Sequence, residues 1–192
     1  IKSYLANDIN IIKRLYSSIG YNFVEIDTKV NELDKENFDL LIDIKRGEKT
    51  KISSIKFIGD KKIKDKKLLE VIASEEHKFW KFISRKVYLN QSLIDLDKRL
   101  LENYYKNNGY YNVKILNSFA ELDDTEGSFK LTFNIDAGKK YFFNNFNLEL
   151  PQDYNKSDFE SINKLFTSLS KKEYSLDNIN LILNEIDEIA SL

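Results

Sequence analysis

The thiol and imidazole groups that serve as strong nucleophile, near-neutral base or soft metal ligand are almost missing from this sequence, which has no Cys and a single His. Disulfides, zinc ribbons, cysteine nucleophiles and iron–sulfur clusters are thereby excluded, and any metal would have to be held by oxygen ligands alone. His77 could serve as a general base, but it stands in the charged run Glu75-Glu76-His77-Lys78, and no nucleophile is singled out beside it. The expectation is no catalysis and no cofactor. Glu121, Asp123, Asp124 and Glu126 could gather a hard cation, yet they lack the D-x-[DN]-x-[DN]-G spacing that wraps ligands around calcium. They read as a solvated hairpin turn, so no metal is expected. The tract Lys61-Lys62-Ile63-Lys64-Asp65-Lys66-Lys67 could meet anionic headgroups but is interrupted by Asp65, and a solvated loop is the simpler reading. Across the chain 30 basic side chains stand against 31 acidic ones, a net charge of -1. Nothing in that balance neutralises a phosphate backbone, so nucleic acid is not an expected partner. Phe79, Trp80 and Phe82 crowd one segment between two helical patterns. Three aromatics there either staple the segment to the core or form an exposed partner patch.

The elements that position these residues are organised as a repeat. Asp8 to Ile26 lies over Asp97 to Ile115 at an offset of 89, matching Asp8 with Asp97, Tyr16 with Tyr105, Gly20 with Gly109, Tyr21 with Tyr110 and Val24 with Val113. Further on the offset becomes 91, where Phe38, Leu40, Ile42, Ile44 and Gly47 lie over Phe129, Leu131, Phe133, Ile135 and Gly138. A third, partial copy sets Asp158, Ile162 and Leu165 under Asp65, Leu69 and Ile72, and Ile179, Ile182 and Ile186 under Leu93, Leu96 and Leu100 at an offset of 86. Three segments follow: 1–49, the rear part of a unit; 50–138, a complete unit; and 139–192, the front part of another.

Within the complete unit, Ile52, Ile55 and Phe57 alternate imperfectly as a strand ended by Gly59-Asp60. A short helix opens at Asp65. A longer one from Asn90 carries Leu93, Leu96, Leu100 and Tyr104 as the stripe expected to face the core. Gly109, like its twin Gly20, sits where a helix end needs positive φ. A second strand follows, then a third in which Phe129, Leu131, Phe133 and Ile135 alternate with period 2. In the third copy Ser157-Asp158-Phe159-Glu160 reads as a capping box. The order β-α-α-β-β predicts an α+β unit, a three-stranded mixed sheet with two helices on one face. Half-units at both ends should leave apolar faces uncovered, Tyr4, Leu15, Ile42 and Ile44 at one and Ile162, Leu165, Ile179, Ile182 and Ile186 at the other. Packing of one chain against another through those faces is a further expectation. No apolar run approaches the ~18 residues of a transmembrane helix.

The tract Tyr104-Tyr105-Lys106-Asn107-Asn108-Gly109-Tyr110, followed by Phe129-x-Leu131-x-Phe133-x-Ile135-Asp136-Ala137-Gly138-x-x-Tyr141-x-Phe143, resembles the POTRA repeat of the Omp85 superfamily. Ile52-Ser53-Ser54-Ile55-Lys56-Phe57-Ile58-Gly59-Asp60 is similar to that repeat's first strand, with Asp60 where Asn is usual. Ala137 and Arg46 stand where the repeat usually has Glu before its glycine. Phe79-Trp80 and Arg85-Lys86-Val87-Tyr88 resemble a third repeat of such an array, which makes the flanking segments parts of a second and a fourth. The resemblance implies a structural role for Gly20, Gly47, Gly59, Gly109 and Gly138. It also implies a periplasmic location at the outer membrane of a Gram-negative bacterium, ahead of a C-terminal membrane barrel. The partners it implies are unfolded outer-membrane proteins and accessory assembly lipoproteins. In the family the strand after the second helix lies at the sheet edge. Here that is Asn112 to Phe119, expected to carry Asn112, Lys114, Leu116 and Ser118 on one side and Val113, Ile115, Asn117 and Phe119 on the other. An extended client would add to it through main-chain hydrogen bonds; a rival role is a scaffold that only docks lipoproteins.

Overall fold

The chain is described from a computed structural model that covers residues 2–33, 37–78 and 84–191. A first unit holds helix α1 (Lys2–Ser18) and the antiparallel pair β1 (Glu25–Glu32) and β2 (Phe38–Lys45). The central unit comprises β3 (Lys51–Asp60), α2 (Asp65–Val71), a 3-10 turn (Arg85–Val87), α3 (Gln91–Lys106), β4 (Lys114–Asp123) and β5 (Ser128–Asp136). A third unit has a 3-10 turn (Lys156–Phe159), α4 (Glu160–Leu169) and α5 (Leu176–Ala190). The central sheet runs β3-β5-β4, with β5 parallel to β3 and antiparallel to β4. It is the α+β unit that the strand and helix order predicts.

Period 2 in β5 puts Leu131, Phe133 and Ile135, all fully buried, on one face of the middle strand. Ile52, Ile55 and Phe57 join them from β3, and Leu68, Ile72, Ile94, Leu101 and Tyr105 close over them from the helices. The imperfect alternation in β3 has a physical cause: the register slips between Ile52 and Ser54, so Ser53 is an extra residue in a bulge. The change of repeat offset has a similar one. β4 carries a bulge at Leu116 that β1 lacks, and it pairs with the next strand over nine residue pairs where β1 pairs over eight, with a connection one residue shorter.

Two expectations about helix faces are corrected. In α3 the buried stripe is Ile94, Asp97, Leu101 and Tyr105, one residue on from the stripe read from sequence. The apolar residues there come in adjacent pairs, Leu93-Ile94, Leu100-Leu101 and Tyr104-Tyr105, so periodicity alone leaves the phase open. The sheet takes the phase that lets Asp97 serve a loop. By the same measure α5 matches α3 at an offset of 85: its cap Ser175 stands under Asn90, and buried Ile182 under Asp97.

The first unit leaves its apolar face open: Leu40, Ile42 and Ile44 are 42, 36 and 36% exposed where their central counterparts are at 0%. The third unit does not, because Phe159, Ile162, Leu169 and Ile182 are buried between its helices. Its expected opening strand is extended chain with one bridge, Phe142 to Glu173. With no counterpart of β5 among the described residues, that segment bonds to the α4–α5 turn instead, through Phe143 N–H to the Lys172 carbonyl (2.9 Å). The expected capping box is also absent, since Asn155 rather than Ser157 caps the 3-10 turn, accepting from the Ser157 amide at 3.3 Å.

The units meet through the same contacts twice. The Thr50 amide donates to the Gly20 carbonyl (3.0 Å) and, one repeat on, the Tyr141 amide to the Gly109 carbonyl (2.8 Å). Leu89 N–H bonds Thr50 O as Tyr174 N–H bonds Tyr141 O. The Lys49 ammonium lies over the Tyr21 ring as that of Lys140 lies over Tyr110. Repeated cation–π contacts at one station make the glycine-tyrosine pair a joint between units.

Candidate functional site

The expected edge segment divides in the structure. Asn112 and Val113 precede the strand, Val113 buried with its amide on the Tyr110 carbonyl (3.2 Å) and Asn112 donating to the Tyr141 hydroxyl (2.8 Å). Lys114, Ile115, Leu116, Asn117, Ser118 and Phe119 lie in β4, which continues to Asp123. The bulge at Leu116 reverses the expected sides beyond it. Ile115 and Ala120 pack on the core, whereas Phe119, expected beside Val113 and Ile115, falls out of phase with them and is 41% exposed. Leu116 itself is 56% exposed.

The two edges of the central sheet are unequal. Along the outer side of β3 the chain returns after α2: His77 N–H donates to the Ile52 carbonyl (2.7 Å) and the Glu76 carboxylate accepts from the Ile55 amide (3.0 Å). His77 is thus half-buried edge cover. No strand pairs with the outer side of β4 among the described residues. An unpaired edge presents main-chain donors and acceptors at the spacing of another strand.

Charge is distributed unevenly around that edge. At the β4–β5 turn, Asp123 Oδ1 accepts from the Thr125 amide (3.1 Å) and hydroxyl (2.6 Å), and its Oδ2 meets Lys130 Nζ at 2.7 Å. Lys130 and Thr125 hold this carboxyl well below the usual range. The acidic cluster is a built turn; among the described residues no group of three or more His, Asp or Glu is placed to hold a metal. In the basic tract, Lys61, Lys62 and Lys67 pair with Asp65, Asp60 and Glu70. Phe79, Trp80 and Phe82 lie outside the described residues.

Asp97 was not singled out as a site residue in the sequence, although its match with Asp8 across the repeat was a signal. Fully buried, its Oδ1 accepts from the Ala73 (2.6 Å) and Ser74 (3.1 Å) amides where the chain leaves α2. Burial pushes its pKa up, against the Ser74 hydroxyl and the two amides. Gly20, Gly47, Gly59, Gly109 and Gly138 all have positive φ. At Gly59 a Cβ would stand 2.4 Å from the Ile135 carbonyl oxygen, so no side chain fits where β3 ends against β5.

A β-α-α-β-β unit with sheet order first-third-second, repeated through a glycine-tyrosine joint, defines a tandem module of the POTRA class. Residues 50–138 match the family model described as "POTRA: Surface antigen variable number repeat". The chain is 25% identical over 175 residues to the outer membrane protein assembly factor BamA of Neisseria meningitidis serogroup B, covering 91% of this chain and 22% of that protein. It is 27% identical over 187 residues to BamA of Buchnera aphidicola, covering 94% of this chain and 29% of that protein. The crystal structure of Haemophilus influenzae BamA POTRA3-5 superposes with a TM-score of 0.55 at 19% identity, over 96% of this chain and 68% of that one. Residues 50–138 are a POTRA repeat, the repeats of this chain are most similar to those of BamA, and the chain spans less than a third of the length of the curated relatives it matches.

Proposed function

We propose that this chain is the periplasmic POTRA region of an outer-membrane β-barrel assembly factor, and that its central repeat takes an extended segment of an unfolded outer-membrane protein as a fourth strand along β4. Accessory lipoproteins dock on the same array, and a membrane barrel lies downstream of it. Segments 1–49, 50–138 and 139–192 act as successive repeats of the array. The supporting observation is the inequality of the two edges: Glu76 and His77 bond the outer side of β3 at Ile55 and Ile52, and β4 is open. Main-chain pairing accepts almost any side chain, which suits many clients. Each hydrogen bond contributes about 0.5–1.5 kcal/mol net, while ordering the segment costs about 1–2 kcal/mol per residue. Affinity is therefore weak, as a handover site requires.

Photo-crosslinkers placed at Asn117 and Phe119 on β4, and at Ile58 on β3, test the reading, with client and lipoprotein adducts scored separately. Client adducts from β4 and none from Ile58 are expected. Lipoprotein adducts alone at β4 would replace strand addition by a docking scaffold.

A further inference from the structure

An open cleft of about 710 Å³ lies at the foot of β4, where the central and third units meet. Its lining includes Lys106, Lys114 and Lys139, with one acid, Asp136, and the rings of Tyr111 and Tyr141. None of the three lysines has an ion-pair partner among the described residues, whereas Lys130 pairs with Asp123 and Lys140 with Glu173. The repeat supplies an internal comparison. Lys114, Asp136 and Lys139 correspond to Glu25, Lys45 and Glu48 at the preceding joint, so every one of these charges is inverted there. A solvated surface lysine needs no such pattern. At the other end of β4 stand Glu121, Asp124 and Glu126.

We propose that the cleft holds a carboxylate of the added strand, and that the charges at the two ends of β4 thereby set the strand's direction. The inference rests on strand addition at β4. A segment that pairs antiparallel to β4 brings its C-terminal end to the foot of the strand and its N-terminal end to the acidic turn. A parallel segment would bring its N-terminal end, an ammonium in a short peptide, to the lysines. β4 has ten residues, about 33 Å at ~3.3 Å per residue, several times the ~8–10 Å Debye length in physiological salt, so each end acts on its own end of the segment. The carboxylate can be a chain terminus or an acidic side chain near it, since the cleft reads only the charge and the oxygen acceptors.

The test uses the 192-residue chain and nine-residue alternating Thr/Val peptides with a free C-terminal carboxylate, a C-terminal amide, or an amidated final Asp or Asn. Binding is followed by amide chemical shifts, and direction by a spin label on the peptide's N-terminal residue. The free-carboxylate or the Asp peptide should bind about threefold to fivefold tighter than its neutral partner at low salt, the scale of one or two exposed ion pairs. Whichever peptide shows the gain identifies the source of the carboxylate. The label should broaden the amides of Asp124 to Gly127, and Lys106→Glu with Lys139→Glu, both off the strand, should erase the gain while leaving the weaker binding of the neutral peptides. Equal binding of all four peptides, or broadening at Tyr111 to Lys114, would overturn the proposal and leave strand addition standing. If no peptide perturbs β4, strand addition and the cleft's role fall together. The peptide comparison needs no variant, so a misfolded double substitution cannot mask the result.

Discussion

A buried carboxylate in the middle of an apolar helix face carries a cost that its geometry offsets only in part. Asp97 accepts two amides that would otherwise be orphaned at the end of α2, and burial raises its pKa. Asp97→Ala strands both donors in the core, at about 1–3 kcal/mol each, and should lower the urea-denaturation stability by roughly 2 kcal/mol or more. Asp97→Asn keeps the acceptor without the charge. Because the folded-state pKa lies above the ordinary value, the group's contribution is fullest below about pH 4 and is lost as pH rises through the raised value. Wild type should therefore lose stability relative to Asp97→Asn as pH rises from about 4 through the raised value, and a parallel pair of pH profiles would contradict that assignment. Glycines separate in the same way. At Gly59 an added Cβ meets backbone at 2.4 Å, whereas at Gly109 it meets the flexible Lys140 side chain at 2.8 Å. Gly109→Ala should cost mainly the positive-φ penalty of about 1–2 kcal/mol, and Gly59→Ala clearly more, read as the difference in midpoint on thermal unfolding.

Element by element, legibility followed the strength of the period. β5 shows four apolar residues at period 2, and its core face was readable outright. α3 was readable as a helix but not in phase, since its doubled apolar pairs offer two stripes and the one that is buried is interrupted by an acid. The bulge at Leu116 was hidden altogether: one inserted residue looks like part of the strand until a partner's register exposes it. This yields a paired test. Deleting Leu116 removes the extra residue and keeps Asn117 to Asp123 on their present faces, so the fold should tolerate it within about 0.5 kcal/mol. Deleting Thr132 from β5, which has no extra residue to give up, puts Leu131 and Phe133 on opposite faces and should cost roughly 3 kcal/mol or more, because a one-residue slip exchanges the faces of a strand. Equal costs in chemical denaturation would mean that Leu116 is not the bulged residue.

Across the molecule, the same glycine-tyrosine joint links units whose cores differ in completeness. Phe38, Leu40, Ile42 and Ile44 stay a third to a half exposed, while Leu131, Phe133 and Ile135 at the matching central positions are sealed. At roughly 1.5–3 kcal/mol per fully buried side chain, four residues left about 40% exposed forgo roughly 2–5 kcal/mol, a sizeable part of the 5–15 kcal/mol net stability of a whole domain. The 192-residue chain should accordingly bind an apolar dye and show a concentration-dependent mass by light scattering. Leu40→Ser with Ile42→Ser should reduce both without moving the unfolding transition of the central unit. A strictly monomeric, dye-negative chain would mean that the face is covered in solution.

Repeat length, the β-α-α-β-β order, the glycine stations and the core face of β5 were determined by the sequence itself, because each depends on residue type at local spacing. Positive φ needs Gly, and period 2 needs only neighbours in the chain. Which stripe of α3 is buried, which edge is covered and where charge gathers were decided by tertiary structure. Those features depend on partners far apart in sequence: Glu76 reaching the Ile55 amide, Asp97 reaching the amides of Ala73 and Ser74, and Lys106, Lys114 and Lys139 converging from a helix, a strand and a loop. Local propensity is blind to such pairings, since each forms only once the sheet has set the distance between its partners.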